Sequence, residues 1–257
     1  KHPMLHLEDG RRGAKPGIAL ASDEPQLALK RFKIPRGFQV SVFAAEPLLA
    51  NPVAFCLDEQ GRVFVAETHR FGVGVEDIRD YMTMLDDDVA CRTVEDRIAL
   101  TKKWFGDEFT QFSGTSEIVR LVEDRNHDGK ADFSSVYADG FDSALDGIAS
   151  GVLAHRGKLW LANIPAITLL QGIDAKGHAK SRETLSYGYG VRFSYIGHDL
   201  HGLILGPDGK LYFSFGDRGA NVKTKEGKTL AFPDEGAVFR CNPDGTELEV
   251  VHHGLRN

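Results

Sequence analysis

The stretch LILGPDGKLYFSFGD (residues 203–217) decides the fold prediction, because it places two apolar segments on either side of a Gly-containing turn. The same pattern recurs in FCLDEQGRVFVAE (55–67) and VLAHRGKLWLAN (152–163), and a related turn lies in VFRCNPDGTELEVV (238–251). Each copy predicts an antiparallel hairpin. Repetition of one self-similar hairpin is typical of an all-β fold of the β-propeller type, with a β-sandwich as the alternative.

The composition excludes several classes of protein. The chain of 257 residues is 42% hydrophobic and 26% charged, which is ordinary for a globular protein that buries a core. It contains 28 Gly and only 10 Pro, which indicates many turns between short strands. The net charge of −6 provides no basic surface for a nucleic-acid backbone. No apolar run reaches the roughly 18 residues that a transmembrane helix needs.

The chain divides into two parts of different character. Residues 1–35 are polar and mixed, contain a short helix-like stretch at 24–31, and are predicted to form an N-terminal extension. Residues 36–257 form the predicted propeller domain. Its first segment, FQVSVFA (38–44), alternates apolar and polar residues as a half-buried strand does.

Residues near 76–106 interrupt the strand pattern and predict a helical insertion. Thr93 precedes two acidic residues and is a predicted N-cap of the second helix in this insertion. Asp86–Asp88 are predicted to form a solvated turn between the helices. Strand signals return at EIVRLVE (117–123) and continue to the end of the chain.

The three cysteines exclude some metal and redox sites. Cys56, Cys91 and Cys241 form no CxxC pair and no CxxCH motif, which argues against a zinc ribbon, a thioredoxin-like site and a covalent c-type haem. Cys56 lies in an apolar run and is predicted to be a buried small hydrophobe. The sequence does not decide whether Cys56 and Cys91 form a disulfide.

The loop DRNHDGKAD (124–132) is the most specific local motif. Oxygen-bearing side chains occupy alternate positions, and Gly129 permits a sharp turn, so the oxygens can converge on one hard cation such as Ca²⁺. The twelfth position is Ser135, where an EF-hand carries Glu, so a true EF-hand is not expected. A plain polar turn is the alternative. The predicted ligands are the side chains of Asp124, Asn126, Asp128 and Asp132 and the carbonyl of Lys130.

The histidine-containing motif GHDLHG (197–202) leads directly into the third hairpin. In a propeller, His198 would lie where an inner strand starts, next to the central channel, and a neutral imidazole is a competent general base. Asp199 or Asp217 could orient the ring. The alternative is an exposed turn histidine. Residues 67–70 (Glu-Thr-His-Arg) follow a predicted strand and would either line the channel or form a solvated loop.

Other polar and aromatic residues near the chain end have less specific interpretations. Tyr187, Tyr189 and Tyr195 would either form a wall for stacking a sugar or pack around the glycines between them. His252–His253 is expected to be exposed.

The motif GHDLHGLILGPDGKLYFSFGDRG (197–219) resembles a stretch of the soluble quinoprotein glucose and aldose-sugar (sorbosone) dehydrogenases. These are six-bladed propellers that use pyrroloquinoline quinone (PQQ). The resemblance implies that His198 abstracts the substrate hydroxyl proton while hydride passes to the quinone. Asp199 and Asp217, which could orient the ring or balance its charge, complete the predicted catalytic residues. A closer likeness, over about residues 35–257, is to the propeller domain called a membrane-bound dehydrogenase in planctomycete and verrucomicrobial proteins. NPVAFCLDEQGRVFVAE (51–67) and DRNHDGKADFSSVYADGF (124–141) carry it, together with GHDLHG.

The same resemblance implies the cofactor contacts. The segment GLRN (254–257) is similar to the one whose Arg and Asn contact the quinone, which implies that Arg256 and Asn257 bind it. Arg218 is a further implied contact. In that family a Gln also contacts the quinone, and Asp146 is the nearest candidate for its position in this sequence. His201-Gly202 stands where the family has Gly-Arg.

The resemblance also implies partners and a compartment. We expect a periplasmic or secreted dehydrogenase that oxidises a sugar or alcohol and passes electrons to a c-type cytochrome domain or partner chain. Three to four repeats are countable, so the remaining blades of a six-bladed ring would come from further sequence or another chain. Two other functions stay open. One is a non-catalytic propeller that binds a glycan or protein, and the other is a metal-dependent lactonase or hydrolase with Glu67 and Asp217 as ligands.

Overall fold

The alternating apolar segments form short strands around tight turns. The computed structural model describes residues 18–193 and 197–257, and this part of the chain contains fourteen strands and three α-helices. The strands are β1 (Pro52–Leu57), β2 (Val63–Glu67), β3 (Glu117–Glu123), β4 (Phe133–Phe141), β5 (Ala149–His155), β6 (Lys158–Asn163), β7 (Ala166–Gln171), β8 (Ser181–Tyr187), β9 (Leu200–Leu205), β10 (Leu211–Phe215), β11 (Ala220–Lys223), β12 (Thr229–Phe232), β13 (Gly236–Cys241) and β14 (Glu249–Leu255). The helices are α1 (Glu24–Leu29), α2 (Leu85–Ala90) and α3 (Val94–Phe105).

Twelve of these described strands form three four-stranded antiparallel sheets in chain order. The first sheet is β1-β2-β3-β4, the second is β5-β6-β7-β8, and the third is β9-β10-β13-β14. The hairpin β11-β12 is inserted between β10 and β13 and forms a separate two-stranded sheet. The predicted all-β class is therefore confirmed, as are the four hairpins that the sequence pattern predicts.

The sheets pack side by side through their apolar faces. The first strand of the second sheet, β5, contacts both β1 and β9, so the first strands of the three sheets are neighbours. Phe64 and Leu121 of the first sheet share a core with Leu161 of the second. Trp160 of the second sheet shares another core with Phe213 of the third. Each sheet thus buries a face by packing on the next one, which is where most of its hydrophobic stabilisation arises.

The strand predicted at Phe38–Ala44 is wrong. These residues form no strand in the structure, and the side chains from Phe38 to Ser41 are exposed. A strand needs a hydrogen-bonded neighbour, and in the described chain this segment does not join any of the sheets. Apolar alternation alone does not provide that partner.

The helical insertion connects β2 to β3 and extends further than predicted. It contains α2, α3 and short 3₁₀ turns that continue to Phe112. Thr93 is the N-cap of α3, as predicted: its hydroxyl accepts from the amide of Asp96 at 3.1 Å, and the Asp96 carboxylate accepts from the amide of Thr93 at 3.0 Å. The insertion has an aromatic core of its own, in which Phe105 stacks on Phe193 of the β8–β9 loop.

Asp86–Asp88 do not form the solvated turn that the charge run predicts. They belong to α2, and two of them hold neighbouring segments. Asp87 accepts from the indole N–H of Trp104 at 2.7 Å, and Asp88 is buried and accepts from the amide of Phe193 at 2.6 Å. A run of carboxylates is usually solvated, but here the aromatic packing brings hydrogen-bond donors to it.

All three cysteines are free thiols, so the disulfide left open by the sequence is absent from the structure. Cys91 and Cys241 are buried and Cys56 is partly buried. Burial raises the pKa of Cys56 and of Cys241 to about 12 and that of Cys91 to about 11. Within residues 18–193 and 197–257, none of the helices is long and apolar enough to cross a bilayer.

Candidate functional site

The candidate residues collect at one end of the sheets, which we call the upper end. The upper end is where β2, β4, β8 and β10 finish and where β3, β5 and β9 begin. Two hydrogen bonds fix this alignment: Glu117 at the start of β3 accepts from the amide of Ala149, and Ser150 in β5 donates to the carbonyl of Leu200 in β9. The helical insertion also leaves and rejoins the sheet at this end. The opposite, lower end carries the short hairpin turns.

His198 and Asp217 form a pair at the upper end of the third sheet. His198 precedes β9, Asp217 follows β10, and Nδ1 of His198 lies 2.5 Å from Oδ1 of Asp217. His198 is 5% exposed, whereas the Asp217 side chain is 37% exposed. A carboxylate at this distance holds the imidazole in one orientation, and an oriented imidazole is suited to proton transfer.

The backbone of the chain end closes this pair on one side. The amide of Asp217 donates to the carbonyl of Arg256 at 2.7 Å. A Cβ on Gly216 would lie 2.6 Å from that carbonyl oxygen and 2.9 Å from His198, so only glycine allows the three segments to approach. The side chains of Arg256 and Asn257 are exposed.

A second pair lies directly next to the first along the chain. Asp199 follows His198 and Arg218 follows Asp217, and these two neighbours form a buried ion pair of 2.5 Å. Arg218 is 2% exposed and also donates to the carbonyl of Phe193 at 2.7 Å. The two loops are therefore joined by two side-chain pairs, His198–Asp217 and Asp199–Arg218. Arg218 uses its hydrogen bonds to hold Asp199 and the β8–β9 loop.

Asp146 lies in the β4–β5 loop, on the other side of Arg218. Its Oδ2 accepts from the amide of Ser143 at 2.8 Å, and it lines a small cavity together with Arg97 and Arg218. The structure thus brings Asp146 close to the buried arginines. Arg97 in α3 was not identified from the sequence.

Glu67 and His69 are buried, so the solvated-loop interpretation of residues 67–70 is wrong. Both carboxylate oxygens of Glu67 accept from Arg120, at 2.5 and 2.9 Å, and Oε2 lies 3.3 Å from His69 Nε2. Burial raises the pKa of Glu67, but the hydrogen bonds from His69 and Arg120 more than offset it, and the net shift is downward. Glu67 therefore holds strands and loops together across the first sheet.

Glu117 is a key residue that sequence reasoning missed. Its Oε1 accepts from the amides of His69 and Arg70, at 2.7 and 2.8 Å, and its Oε2 accepts from the amide of Ala149 at 2.7 Å. It is fully buried, and burial raises its pKa despite these bonds. A single side chain thus joins the first sheet, the start of the insertion and the second sheet. Its position at the head of an apolar strand was the available signal.

The predicted metal loop lies at the lower end, between β3 and β4, remote from His198 along the strands. Asp124 accepts from the amides of Asp128 and Gly129, and Asp132 accepts from that of Arg125. The described residues contain no group of three His, Cys, Asp or Glu side chains that could hold a metal ion. The oxygen donor set nevertheless matches Ca²⁺ chemistry, because the loop also offers Asn126 and the Lys130 carbonyl. The calcium site stays a prediction.

The tyrosine wall is not formed as a unit. Tyr189 is fully buried in the aromatic core of the third sheet, which matches the packing alternative. Tyr187 is partly exposed, and its hydroxyl donates to Glu95 at 3.3 Å. Tyr195 lies outside the described residues. His252–His253 is exposed, as predicted.

Comparison with protein families gives one match. The model of the family described as "Domain of unknown function (DUF7133)" matches residues 24–257, which is most of the chain. The chain belongs to this family. No curated protein matches it.

Proposed function

We propose that this DUF7133 member is an oxidoreductase that removes a hydride and a proton from a sugar or alcohol, with His198 as the general base. The observation that carries the proposal is the His198–Asp217 pair, with 2.5 Å between Nδ1 and Oδ1 at the upper end of the third sheet. A histidine oriented by a carboxylate and placed on loops above a rigid sheet is a common arrangement for proton transfer.

The residues divide the chemistry between them. His198 Nε2 takes the hydroxyl proton of the substrate, and Asp217 stabilises the imidazolium that results. The substrate carbon loses hydride and becomes a carbonyl carbon, so the substrate is oxidised by two electrons. PQQ, when bound, supplies the acceptor for that hydride. Asp199 and Arg218 fix the two loops, so that the His198 ring keeps its orientation.

The donor set at the chain end fits an anionic quinone. The carbonyl of Arg256 accepts from the amide of Asp217, and the side chains of Arg256 and Asn257 are exposed. A guanidinium pairs well with carboxylate oxygens, and an amide can donate to a carbonyl. We therefore assign cofactor binding to Arg256 and Asn257. Arg218 is buried and bonded to Asp199, so we assign it to positioning.

We also propose that the three sheets are blades of a six-bladed propeller. Consecutive meander sheets with neighbouring first strands support this arrangement. Val53, Phe55 and Leu57 on the outer face of β1 are exposed, as expected where a further sheet would pack. A cytochrome would accept the electrons, and we expect the protein to act in the periplasm or outside the cell.

The proposal is tested by reconstitution with PQQ and Ca²⁺, followed by assays with sugars and alcohols and an artificial electron acceptor. His198→Gln should lower kcat by about 10²–10⁴-fold, and Asp217→Asn should lower it less and shift its pH dependence. His252→Gln, at an exposed histidine of β14, is the matched control and should leave activity unchanged. The proposal fails if the wild type retains no quinone absorbance and oxidises none of these substrates. Glycan binding by such an inactive protein would favour the non-catalytic alternative.

A further inference from the structure

The helical insertion contacts the loops of the candidate site through two residues of the β8–β9 loop, Arg192 and Phe193. On the side of the insertion, the buried carboxylate of Asp88 in α2 accepts from the amide of Phe193 at 2.6 Å. The backbone carbonyl of Asp88 accepts from Nη1 of Arg192, also at 2.6 Å. Asp88 thus holds both loop residues, one through its side chain and one through its backbone.

The same two loop residues hold the β10–β11 turn on their other side. The amide of Arg192 donates to the carbonyl of Arg218 at 2.8 Å. The guanidinium of Arg218 returns a hydrogen bond, since its Nη2 donates to the carbonyl of Phe193 at 2.7 Å. The turn and the loop are thus joined by one backbone bond and one side-chain bond, and both depend on where residues 192 and 193 lie.

Arg218 connects this contact to the candidate pair. It directly follows Asp217 in the chain, and its Nη1 pairs with Asp199, which directly follows His198. Each member of the candidate pair is therefore one residue away from a member of the buried ion pair. A displacement of Arg218 would move the backbone next to both His198 and Asp217, whose Nδ1 and Oδ1 atoms lie 2.5 Å apart.

The aromatic core of the insertion and the Asp88 carboxylate restrain Phe193 in different ways. The Phe193 side chain is 5% exposed, and its ring stacks on Phe105 and meets Phe112 edge-on. Ring contacts tolerate small sliding motions, whereas a hydrogen bond fixes the backbone relative to its partner. Loss of the Asp88 carboxylate would remove this acceptor from a buried amide, so the segment would shift toward another one.

We propose that Asp88 is a positioning residue of the candidate site. It fixes the backbone of Phe193, which holds Arg218 in place, and thereby sets the orientation of the His198 ring. The helical insertion, which carries Asp88, is in this way a support of the site. The consequence for catalysis rests on the proposed oxidoreductase function, whereas the consequence for the geometry of the pair does not.

The ¹⁵N chemical shifts of the His198 ring at a fixed pH test the proposal, because they depend on the hydrogen bond that Nδ1 makes. His198→Gln assigns the signals in protein labelled at histidine, and Asp217→Ala provides the reference for a ring that has lost its carboxylate. Asp88→Ala should move the shifts toward this reference. Asp88→Asn keeps an oxygen that can accept from the Phe193 amide and should preserve the wild-type shifts.

Asp87→Ala is the matched control from the same helix. Asp87 accepts from the indole N–H of Trp104 at 2.7 Å, so its removal loosens the insertion without removing the acceptor of the Phe193 amide. The His198 shifts should keep their wild-type values in this variant. If Asp88→Ala does not fold, Asp88→Ser replaces it with the same expected shifts, because a hydroxyl can hold a water molecule in the vacated space.

Activity provides a second readout and separates the two proposals. In protein reconstituted with PQQ and Ca²⁺, Asp88→Ala should lower kcat by up to about 10²-fold, and Asp87→Ala should leave it unchanged. The ring shifts need neither cofactor nor substrate, so an inactive wild type would contradict the oxidoreductase function while the shifts still test the positioning role. That role is overturned if the folded Ala or Ser variant of Asp88 keeps the wild-type ring shifts, or if Asp87→Ala moves them as far as the Asp88 variant does.

Discussion

The two ends of the sheets are held together in different ways. At the lower end, short turns bond mainly to themselves: Asp244 accepts from the amide and hydroxyl of Thr246, two residues away. At the upper end, buried charged groups join segments far apart in the chain, as Glu117 does with His69 and Ala149. The lower end therefore depends on local turn chemistry, and the upper end depends on correct packing of the whole molecule.

The largest expected effect comes from the buried ion pair at the upper end. Arg218→Met leaves Asp199 as a buried carboxylate without its cation and should lower the free energy of unfolding by about 3–5 kcal/mol. Arg31→Gln breaks an exposed pair of 3.7 Å with Glu24 and should change it by less than about 1 kcal/mol. Urea unfolding monitored by circular dichroism measures both. Similar losses in the two variants would contradict the contrast between the buried and the exposed ion pair.

Removal of Glu117 is expected to have a somewhat smaller effect. Glu117→Ala leaves three buried amides without an acceptor and should cost about 3 kcal/mol, because each unsatisfied group costs about 1–3 kcal/mol and some gain water. The matched lower-end variant is Asp244→Ala. The Asp244 carboxylate also accepts from a backbone amide, but this hydrogen bond is exposed to solvent. Its removal should lower the free energy of unfolding by about 1 kcal/mol or less. An equal loss in the two variants would show that the two ends do not differ.

The raised pKa of Glu117 adds a pH test with a definite sign. The folded protein binds this proton more tightly than the unfolded chain does. Its stabilising contribution is therefore complete below the ordinary glutamate pKa and decreases as pH rises through the folded-state value. Glu117→Ala should remove this part of the pH dependence, which urea titrations at several pH values between 4.5 and 7 can measure. If Glu117→Ala shows the same slope of unfolding free energy against pH as the wild type, Glu117 is not the source of this pH dependence.

Calcium should have the smallest effect, and it concerns a lower-end loop. If the loop 124–132 binds Ca²⁺, a concentration of 100 times Kd adds about 2.7 kcal/mol to the free energy of unfolding. Asp128→Asn should weaken this response, while Asp174→Asn, in another lower-end loop, should preserve it. The same Tm in Ca²⁺ and in EDTA would make the loop a plain polar turn, the alternative that the sequence left open.

The sequence predicts the lower end well because its signals are local. Gly61, Gly157 and Gly209 adopt positive φ angles of 75°, 73° and 76°, as the repeated turn requires, and the hairpins follow from them. The helical insertion and the Thr93 cap are also local patterns. The prediction at 38–44 fails because a strand needs a partner that no local pattern supplies.

The candidate site is predictable only in part. A histidine motif identifies His198, and the structure places Asp217 beside it, but the pairing of Asp199 with Arg218 depends on how two loops meet. Glu117, Asp88 and Arg97 were missed because charged residues at strand ends and on helices are usually solvated. Arg120, a charge within the apolar run of β3, was a usable signal for the buried pair with Glu67.

The position of the insertion has a consequence for the order of folding. β2 pairs with β3 across the whole helical insertion, as in the contact between Val63 and Val122, whereas β5 pairs with β6 across a tight turn, as between His155 and Lys158. Closing a long loop costs more chain entropy than closing a short one. We therefore expect the second sheet to assemble from adjacent hairpins before the first sheet is complete, because β2 can pair with β3 only once the long insertion has closed.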